Sequence, residues 1–347
     1  MKIAYFTALR RIELADGPEA MLNRAEDVRL RIDRVGICGS DVHYHTHGRI
    51  GRQVVAYPAT LGHECAGEVL EVGAGVEKLR PGDRVAIDPA ISCGECDQCL
   101  RGRPHTCRRL RFMGCPGEAP GAVAERYVLP AENCYRIPES MSLDEAALCE
   151  PLSVGLHAVR LAGLEAIESK SQIVVFGAGP IGLSVLLCLR ATADCCVHVI
   201  EPLAPRRALA LKLGAEAAFG LADQSARETM RLFAPNGIDV VFECSGDPTC
   251  VDQAQELLTP GGMLVLVGIP ESEQVSFDAH VMRRKELTFR NVRRQNGCVQ
   301  PVIDMIAAGK LDARPLLTHR FGLDRIEEAF ELVAGYGDGV VKAMLEL

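Results

Sequence analysis

"SQIVVFGAGPIGLSVLLCLRAT", residues 171–192, is the stretch on which the reading of the fold turns. It opens with a short apolar run of the kind that forms a strand covered on both faces. Gly177, Gly179 and Gly182 follow in G-x-G-x-x-G spacing, with Pro180 and Ile181 between the last two at the opening of an apolar helix. Alone the glycine pattern is weak and could be an ordinary turn. A strand before it and a helix after it supply the context of a dinucleotide-binding turn. There the first glycine permits the tight turn, the second lets a pyrophosphate approach the backbone, and the third lets helix pack on sheet. The free N–H groups of the helix then face the phosphates.

Working outward, strand and helix keep alternating. "CVHVIE" precedes "PRRALALKLGAE", and "GIDVVFECSG" precedes a helix near "TCVDQAQELL" and the strand "GMLVLVGI". This alternation predicts a doubly wound parallel α/β sheet. The second strand ends at Glu201, where a carboxylate accepts hydrogen bonds from both adenosine ribose hydroxyls and repels a 2′-phosphate. NAD is therefore favoured over NADP, although Arg206 and Arg207 are close enough in sequence to receive such a phosphate.

The flanks differ. The first 150 residues hold short β-type runs such as "VRLRIDRVGI", "GEVLEVGAGV" and "GDRVAIDPA" between Gly, Pro and Asp, which reads as a small, mostly β domain. In "SLDEAALCEPLSVGLHAVRLAGL", Ser142 and Glu145 form a candidate capping box. A second helical run after Pro151 marks the domain boundary. Toward the end, "CVQPVIDMIAAG" and the amphipathic "FGLDRIEEAFELVAG" read as helices and "VVKAMLEL" as a terminal strand. The expected organisation is two domains: 1–151 with 287–347, and 152–286 inserted between them. An apolar strand, "GGMLVLVGI", is a candidate for a place near a subunit interface.

The chain has 347 residues, 48% hydrophobic and 24% charged, with a formal net charge of −8. A length of this order exceeds one comfortable core. Without a lysine- or arginine-rich run, nucleic-acid and anionic-membrane roles are disfavoured. No apolar leader and no membrane-length apolar run is visible, so a cytoplasmic protein is expected. Its fifteen cysteines are then expected to stay reduced. Four of them, Cys93, Cys96, Cys99 and Cys107, stand at C-x2-C-x2-C-x7-C spacing in a lobe without apolar periodicity. Four thiolates suit tetrahedral zinc better than disulfides or an iron–sulfur cluster, and they leave no position for substrate. The lobe reads as a staple, and the chemistry lies elsewhere.

Three other pieces carry candidate ligands: "GICGSDVHYH" (36–45), "LGHECAG" (61–67) and "CEPLSVGLH" (149–157). They place Cys38, His63, Glu64 and Glu150 in loops or at element ends, a count that fits an open zinc site with three protein ligands. From spacing alone the set is not specific, since lone cysteines and His-Glu pairs are common.

"GICGSDVH", "LGHE", "PGDRVA", the four-cysteine lobe, "EPLSVGLHA" and "GAGPIG", in that order, resemble the zinc-dependent medium-chain dehydrogenases from the first strand to the last. "GICGSDVHYHTHGRIG" and "PLLTHRF" resemble their polyol branch, the sorbitol and xylitol dehydrogenases. The resemblance implies a GroES-like, mostly β catalytic domain beside a Rossmann domain. It implies Cys38, His63 and Glu64 as ligands of catalytic zinc, Glu150 beside them holding the metal-bound water or substrate or visiting the metal itself, and a structural zinc in the lobe. The implied reaction is NAD-linked oxidation of a secondary alcohol to a ketose. The alcohol proton would leave from Ser40 through the nicotinamide ribose to His43, an imidazole suited to that task near neutral pH. As a bland alternative His43 is a solvated loop residue, and His45 and His47 receive no role.

Tyr44 and Phe112 would line the substrate pocket, and Arg294 would bind several hydroxyls at once. On composition alone these are equally packing residues or, for Arg293 and Arg294, a solvated pair at a strand end. In "NVRRQNG" Gln295 stands where sorbitol dehydrogenases commonly have tyrosine, which leaves the polyol's identity open. Rival readings are a sugar-acid (idonate-type), threonine or simple-alcohol dehydrogenase, a zinc-free quinone reductase, and a non-enzymatic protein on this scaffold. By resemblance the chain is expected to form a homo-oligomer, dimer or tetramer.

Overall fold

The computed structural model describes residues 1–164, 170–220, 234–270 and 272–347. Its contacts divide the chain into two compact units, Met1–Glu150 with Val299–Leu347, and Pro151–Cys298. The sequence pattern predicts the return to the first unit at 287. The return falls at 299 instead, because strand Thr288–Asn291 is recruited as the last strand of the parallel sheet in the second unit.

The first unit is built on a seven-stranded sheet. Its order is Cys134–Arg136, Arg84–Ile87, Glu64–Val72, Asp27–Gly36, Lys342–Glu346 and Leu317–Gly322, with Arg126–Pro130 also on Asp27–Gly36. Only the pair Leu317–Gly322 with Lys342–Glu346 is parallel; the other pairings are antiparallel. The central strand sends Val28, Leu30 and Ile32 into a core with Phe6, Val69 and Phe330, as period-two alternation requires. Gly67 lies on a neighbouring strand, and a Cβ there would come within 1.9 Å of the Arg31 carbonyl oxygen. Only glycine fits that approach.

The second unit is a six-stranded parallel sheet in the order Ala217–Phe219, Cys195–Ile200, Ser171–Phe176, Ile238–Glu243, Leu258–Leu266, Thr288–Asn291. This is the 3-2-1-4-5-6 order of a doubly wound sheet, whose strand order reverses between its first and fourth strands. Both of those strands are buried almost throughout, as strands covered on two faces must be. "GGMLVLVGI" supplies an interior strand, so it is not a sheet edge; Thr288–Asn291 is.

Three further local expectations change. The segment read as two helical runs broken at Pro151 is one helix, Leu143–Ala162. Its capping box forms: Ser142 N–H and Oγ donate to Glu145 Oε2 at 2.9 and 2.6 Å, and Glu145 N–H donates to Ser142 Oγ at 3.2 Å. Proline removes one intrahelical donor, but beyond it the helix is clamped to helix Pro180–Thr192. A Cβ on Gly155 would come within 2.7 Å of the Ser184 backbone, and Cys188 Sγ lies 3.5 Å from the Leu152 carbonyl. The segment after Cys38 is a helix, Gly39–His47, closed by Gly48 at φ 70°. His45 is accordingly not a loop residue. It is buried between the rings of Phe6 and Phe330, with Nε2 3.3 Å from Glu331. The amphipathic C-terminal helix is confined to Ile326–Ala334.

Candidate active site

Cys38 is the N-terminal flanking residue of helix Gly39–His47, in extended backbone. Three residues on, the buried Asp41 carboxylate accepts the Cys38 backbone N–H at 3.4 Å and the Gly62 N–H at 3.2 Å. Gly62 turns with φ 94°, and a Cβ there would lie 2.7 and 2.9 Å from Val123 and Val35 side chains. That turn delivers His63 and Glu64 at the start of strand Glu64–Val72. His63 Nδ1 stands 3.4 Å from Asp41 Oδ1, and its ring packs on Phe112 with centroids 5.1 Å apart. One ligand atom each from Cys38, His63 and Glu64 lie within 4.8 Å of one another.

The electrostatics are those of a buried charged site. Burial disfavours the charged His63 imidazole, but the Asp41 carboxylate and the Cys38 thiol beside it raise its pKa well above the ordinary value. Burial pushes Glu150 up to about 7; His63 opposes this and Glu64 adds to it. Burial works against the Lys342 ammonium, yet Glu64 foremost raises it. A thiol, an imidazole and a carboxylate with one carboxylate-anchored imidazole nitrogen fit a divalent zinc that keeps one position open.

In the lobe, Sγ–Sγ separations are 3.4 Å for Cys93–Cys107, 3.6 Å for Cys96–Cys99, 3.8 Å for Cys96–Cys107 and 3.9 Å for Cys93–Cys99. A tetrahedron with Zn–S bonds of about 2.3 Å has edges of about 3.8 Å. All four cysteines are free of disulfides, so the four-sulfur set fits a closed zinc site.

In the second unit Gly177 turns with φ 88° at the sheet's switch point. A Cβ on Gly182 would lie 1.8 Å from the Gly177 carbonyl oxygen, so helix packing demands this glycine. A Cβ on Gly179 would meet nothing nearer than Arg206 at 3.7 Å, so this glycine leaves room for a ligand. Pro180 is the first residue of the helix and Ile181 the second. The buried Glu201 accepts Ala178 N–H at 2.7 Å and Leu203 N–H at 2.8 Å, which aims its carboxylate at the glycine turn. Arg207 donates to the Glu201 and Pro202 carbonyls at 2.8 and 2.6 Å.

These two arrangements match known proteins. Residues 24–139 match the alcohol dehydrogenase GroES-like domain, and residues 180–308 match the zinc-binding dehydrogenase domain. Sorbitol dehydrogenase of Bacillus subtilis is 33% identical over 99% of this chain and 97% of its own. The chain belongs to the zinc-binding dehydrogenases. L-idonate 5-dehydrogenase of Vitis vinifera is 35% identical over 92% of this chain and 88% of its own. A protein of Escherichia coli CFT073 described as a short chain alcohol dehydrogenase, solved with NADH, is 27% identical with a TM-score of 0.91, covering 100% and 99% of the two chains. This zinc-binding dehydrogenase is thus an oxidoreductase acting on CH–OH groups, with a GroES-like domain and a Rossmann domain.

The structure gathers Cys38, His63, Glu64 and Phe112 in the first unit of the dehydrogenase. Glu150, expected at an element end, lies inside helix Leu143–Ala162. Ser40 and His43 are one helical turn apart and half-buried, rather than in a loop. The Tyr44 hydroxyl is buried against Gln53 at 3.1 Å and Cys115 at 3.8 Å. Arg294 belongs to the second unit, after strand Thr288–Asn291, with φ 56°. Gln295 is buried there and accepts the Cys298 N–H at 2.8 Å.

Sequence reasoning missed Asp41 and Lys342. Asp41 was visible as an acid three residues after Cys38, at capping spacing. Lys342 was visible as a lone lysine inside the apolar "VVKAMLEL"; such a lysine must find a partner when the strand is covered. Among the described residues, no helix is long and apolar enough to cross a membrane.

Proposed function

We propose that this dehydrogenase oxidises a secondary hydroxyl of a polyol to a ketose with NAD, and that Cys38, His63 and Glu64 hold its catalytic zinc. The observation that carries the reading is the three-donor set of the first unit, open where the four-sulfur lobe is closed. Bound zinc would supply a Lewis acid that lowers the hydroxyl pKa, and NAD would take up the hydride. The rest falls to the chain. Asp41 holds the His63 ring in one tautomer and orientation. Glu150 offers a second buried carboxylate that hydrogen-bonds the substrate hydroxyl. Ser40 Oγ receives the proton, and His43 carries it toward solvent. Phe112 and Tyr44 shape the substrate side, and Arg294 binds the remaining hydroxyls. Cys93, Cys96, Cys99 and Cys107 hold a structural zinc.

On the cofactor side, Gly177, Gly179, Pro180, Ile181 and Gly182 form the phosphate turn. Glu201 takes the adenosine ribose, and its charge favours NAD over NADP; Arg206 borders the same turn. The sorbitol dehydrogenase relative supports the polyol class. A second reading, an idonate-type sugar acid, is supported by the Vitis relative. We also read the protein as a cytoplasmic homo-oligomer, dimer or tetramer. Edge strand Thr288–Asn291, whose outer side has no strand partner among the described residues, supports such pairing. Sedimentation velocity tests it.

The deciding experiment is turnover of zinc-loaded protein with NAD+ and NADP+ on sorbitol, xylitol, ribitol, galactitol, L-idonate, L-threonine, 2,3-butanediol and ethanol. NAD+-linked turnover of a polyol, lost in Cys38→Ala, is expected. Turnover confined to L-idonate, threonine or a simple alcohol would overturn the polyol assignment.

A further inference from the structure

Lys342 is the first residue of the terminal strand Lys342–Glu346 and is 1% exposed. Lysine is almost never covered unless its ammonium is paired. All three of its N–H bonds find acceptors: Glu64 Oε1 at 2.7 Å, Glu64 Oε2 at 2.6 Å and the Ile37 carbonyl at 3.0 Å. The sheet builds the route between them. Strands Lys342–Glu346 and Glu64–Val72 flank Asp27–Gly36, whose Gly36 pairs with Met344 on one side and Glu64 on the other. Lys342 lies two residues before Met344 and so shares its face of the sheet. A Cβ on Gly36 would stand 2.4 Å from Glu64 Oε2. The glycine therefore leaves a window in the middle strand through which lysine and carboxylate meet.

We propose that Lys342 is a positioning residue for the catalytic zinc site: it grips both oxygens of Glu64 and presets that carboxylate for the metal. This rests on the reading that Cys38, His63 and Glu64 are the donors. Each carboxylate oxygen carries two lone pairs, so an oxygen held by the ammonium still has one to offer. The lysine also stands in the field of Cys38 and Glu150, where it offsets one negative charge of a buried acidic cluster. An exposed carboxylate would have to be ordered on binding; this one is ordered beforehand by a partner that is itself fully covered.

The test is a double-mutant cycle on zinc affinity, read by chelator competition and zinc count per chain, with cobalt(II) absorption as a second readout. Lys342→Met is expected to weaken catalytic-site zinc by about 10–100-fold and to shift the cobalt bands, as loss of an outer partner of a ligand does. In the Glu64→Gln background the same change is expected to have no further effect, because the lysine acts through that carboxylate. If Lys342→Met alone fails to fold, folding of the double variant with the affinity of Glu64→Gln supports the pairing. Unchanged zinc affinity and cobalt spectrum in folded Lys342→Met, or an equal loss in both backgrounds, overturns it. If Glu64→Gln itself leaves zinc affinity untouched, the donor-set reading falls, and the role of Lys342 with it.

Discussion

Asp41 Oδ1 stands 3.4 Å from His63 Nδ1, and the same oxygen takes the backbone N–H of Gly62, the residue before that histidine. One carboxylate thus anchors both the turn that delivers the imidazole and one of its ring nitrogens. Such carboxylate–histidine pairs set the tautomer and raise ligand basicity. Asp41→Asn is therefore expected to lower zinc affinity or turnover by about 10–100-fold while leaving the fold intact. Chelator competition beside a thermal melt checks it; wild-type zinc affinity in the variant would refute the role.

The two donor sets use different residues and different elements, so they should fail separately. Cys96→Ser is expected to remove one zinc per chain and to raise amide exchange across 93–107, while the zinc at Cys38, His63 and Glu64 stays. Metal analysis with hydrogen-exchange mass spectrometry reads both. Loss of both ions together would show that the lobe is not independent.

Two glycines of one motif should respond differently to the same added methyl. Gly182→Ala puts a Cβ 1.8 Å from a carbonyl oxygen and should cost about 1–3 kcal/mol of stability through overpacking. Gly179 has φ −73°, and its Cβ would meet Arg206 only at 3.7 Å. Gly179→Ala should fold with wild-type stability and lose NADH affinity, because the methyl occupies the phosphate approach. Urea unfolding and NADH fluorescence titration separate the two; equal destabilisation would contradict the geometry.

His45 predicts a pH effect on stability. Burial holds its imidazole below the ordinary value of 6.5, with Glu331 opposing and Arg10 assisting. As pH falls through 6.5, the unfolded chain binds a proton that the folded chain refuses, so stability is lost on the acid side until the folded imidazole also titrates. His198 is depressed for the same first reason. Glu150 and His63, both raised, act in the opposite sense over the same range, so the reading is a difference: from pH 7.5 to 5 the wild-type urea midpoint should fall relative to that of His45→Gln. A constant offset between the two would mean that His45 keeps its ordinary titration when folded.

The elements that were legible in sequence are those whose signal is local. The apolar run before Gly177 and the helix after it emerge where the pattern placed them, because a strand covered on both faces needs unbroken apolar residues. The capping box of Ser142 and Glu145 forms for the same reason. The failures are equally physical. Helix Gly39–His47 has little apolar periodicity to announce it, and its buried His45 is settled by Phe6 and Phe330, far away in the chain. Proline at 151 reads as a break, but packing of Gly155 on Ser184 carries the helix through. Strand Thr288–Asn291 is too short to reveal which sheet takes it.

By itself the sequence determined the alternation of strand and helix, the glycine turn, the closed four-cysteine set and the residue types able to hold a metal. Each depends on spacing within a few residues. Only tertiary structure decided that Asp41 backs His63, that Gly36 opens a window, and that Lys342 reaches Glu64 through it, 278 residues apart in the chain. The first joins a helix to a turn distant in the chain, and the last two cross three strands of one sheet, where the register between strands far apart in sequence sets which side chains meet.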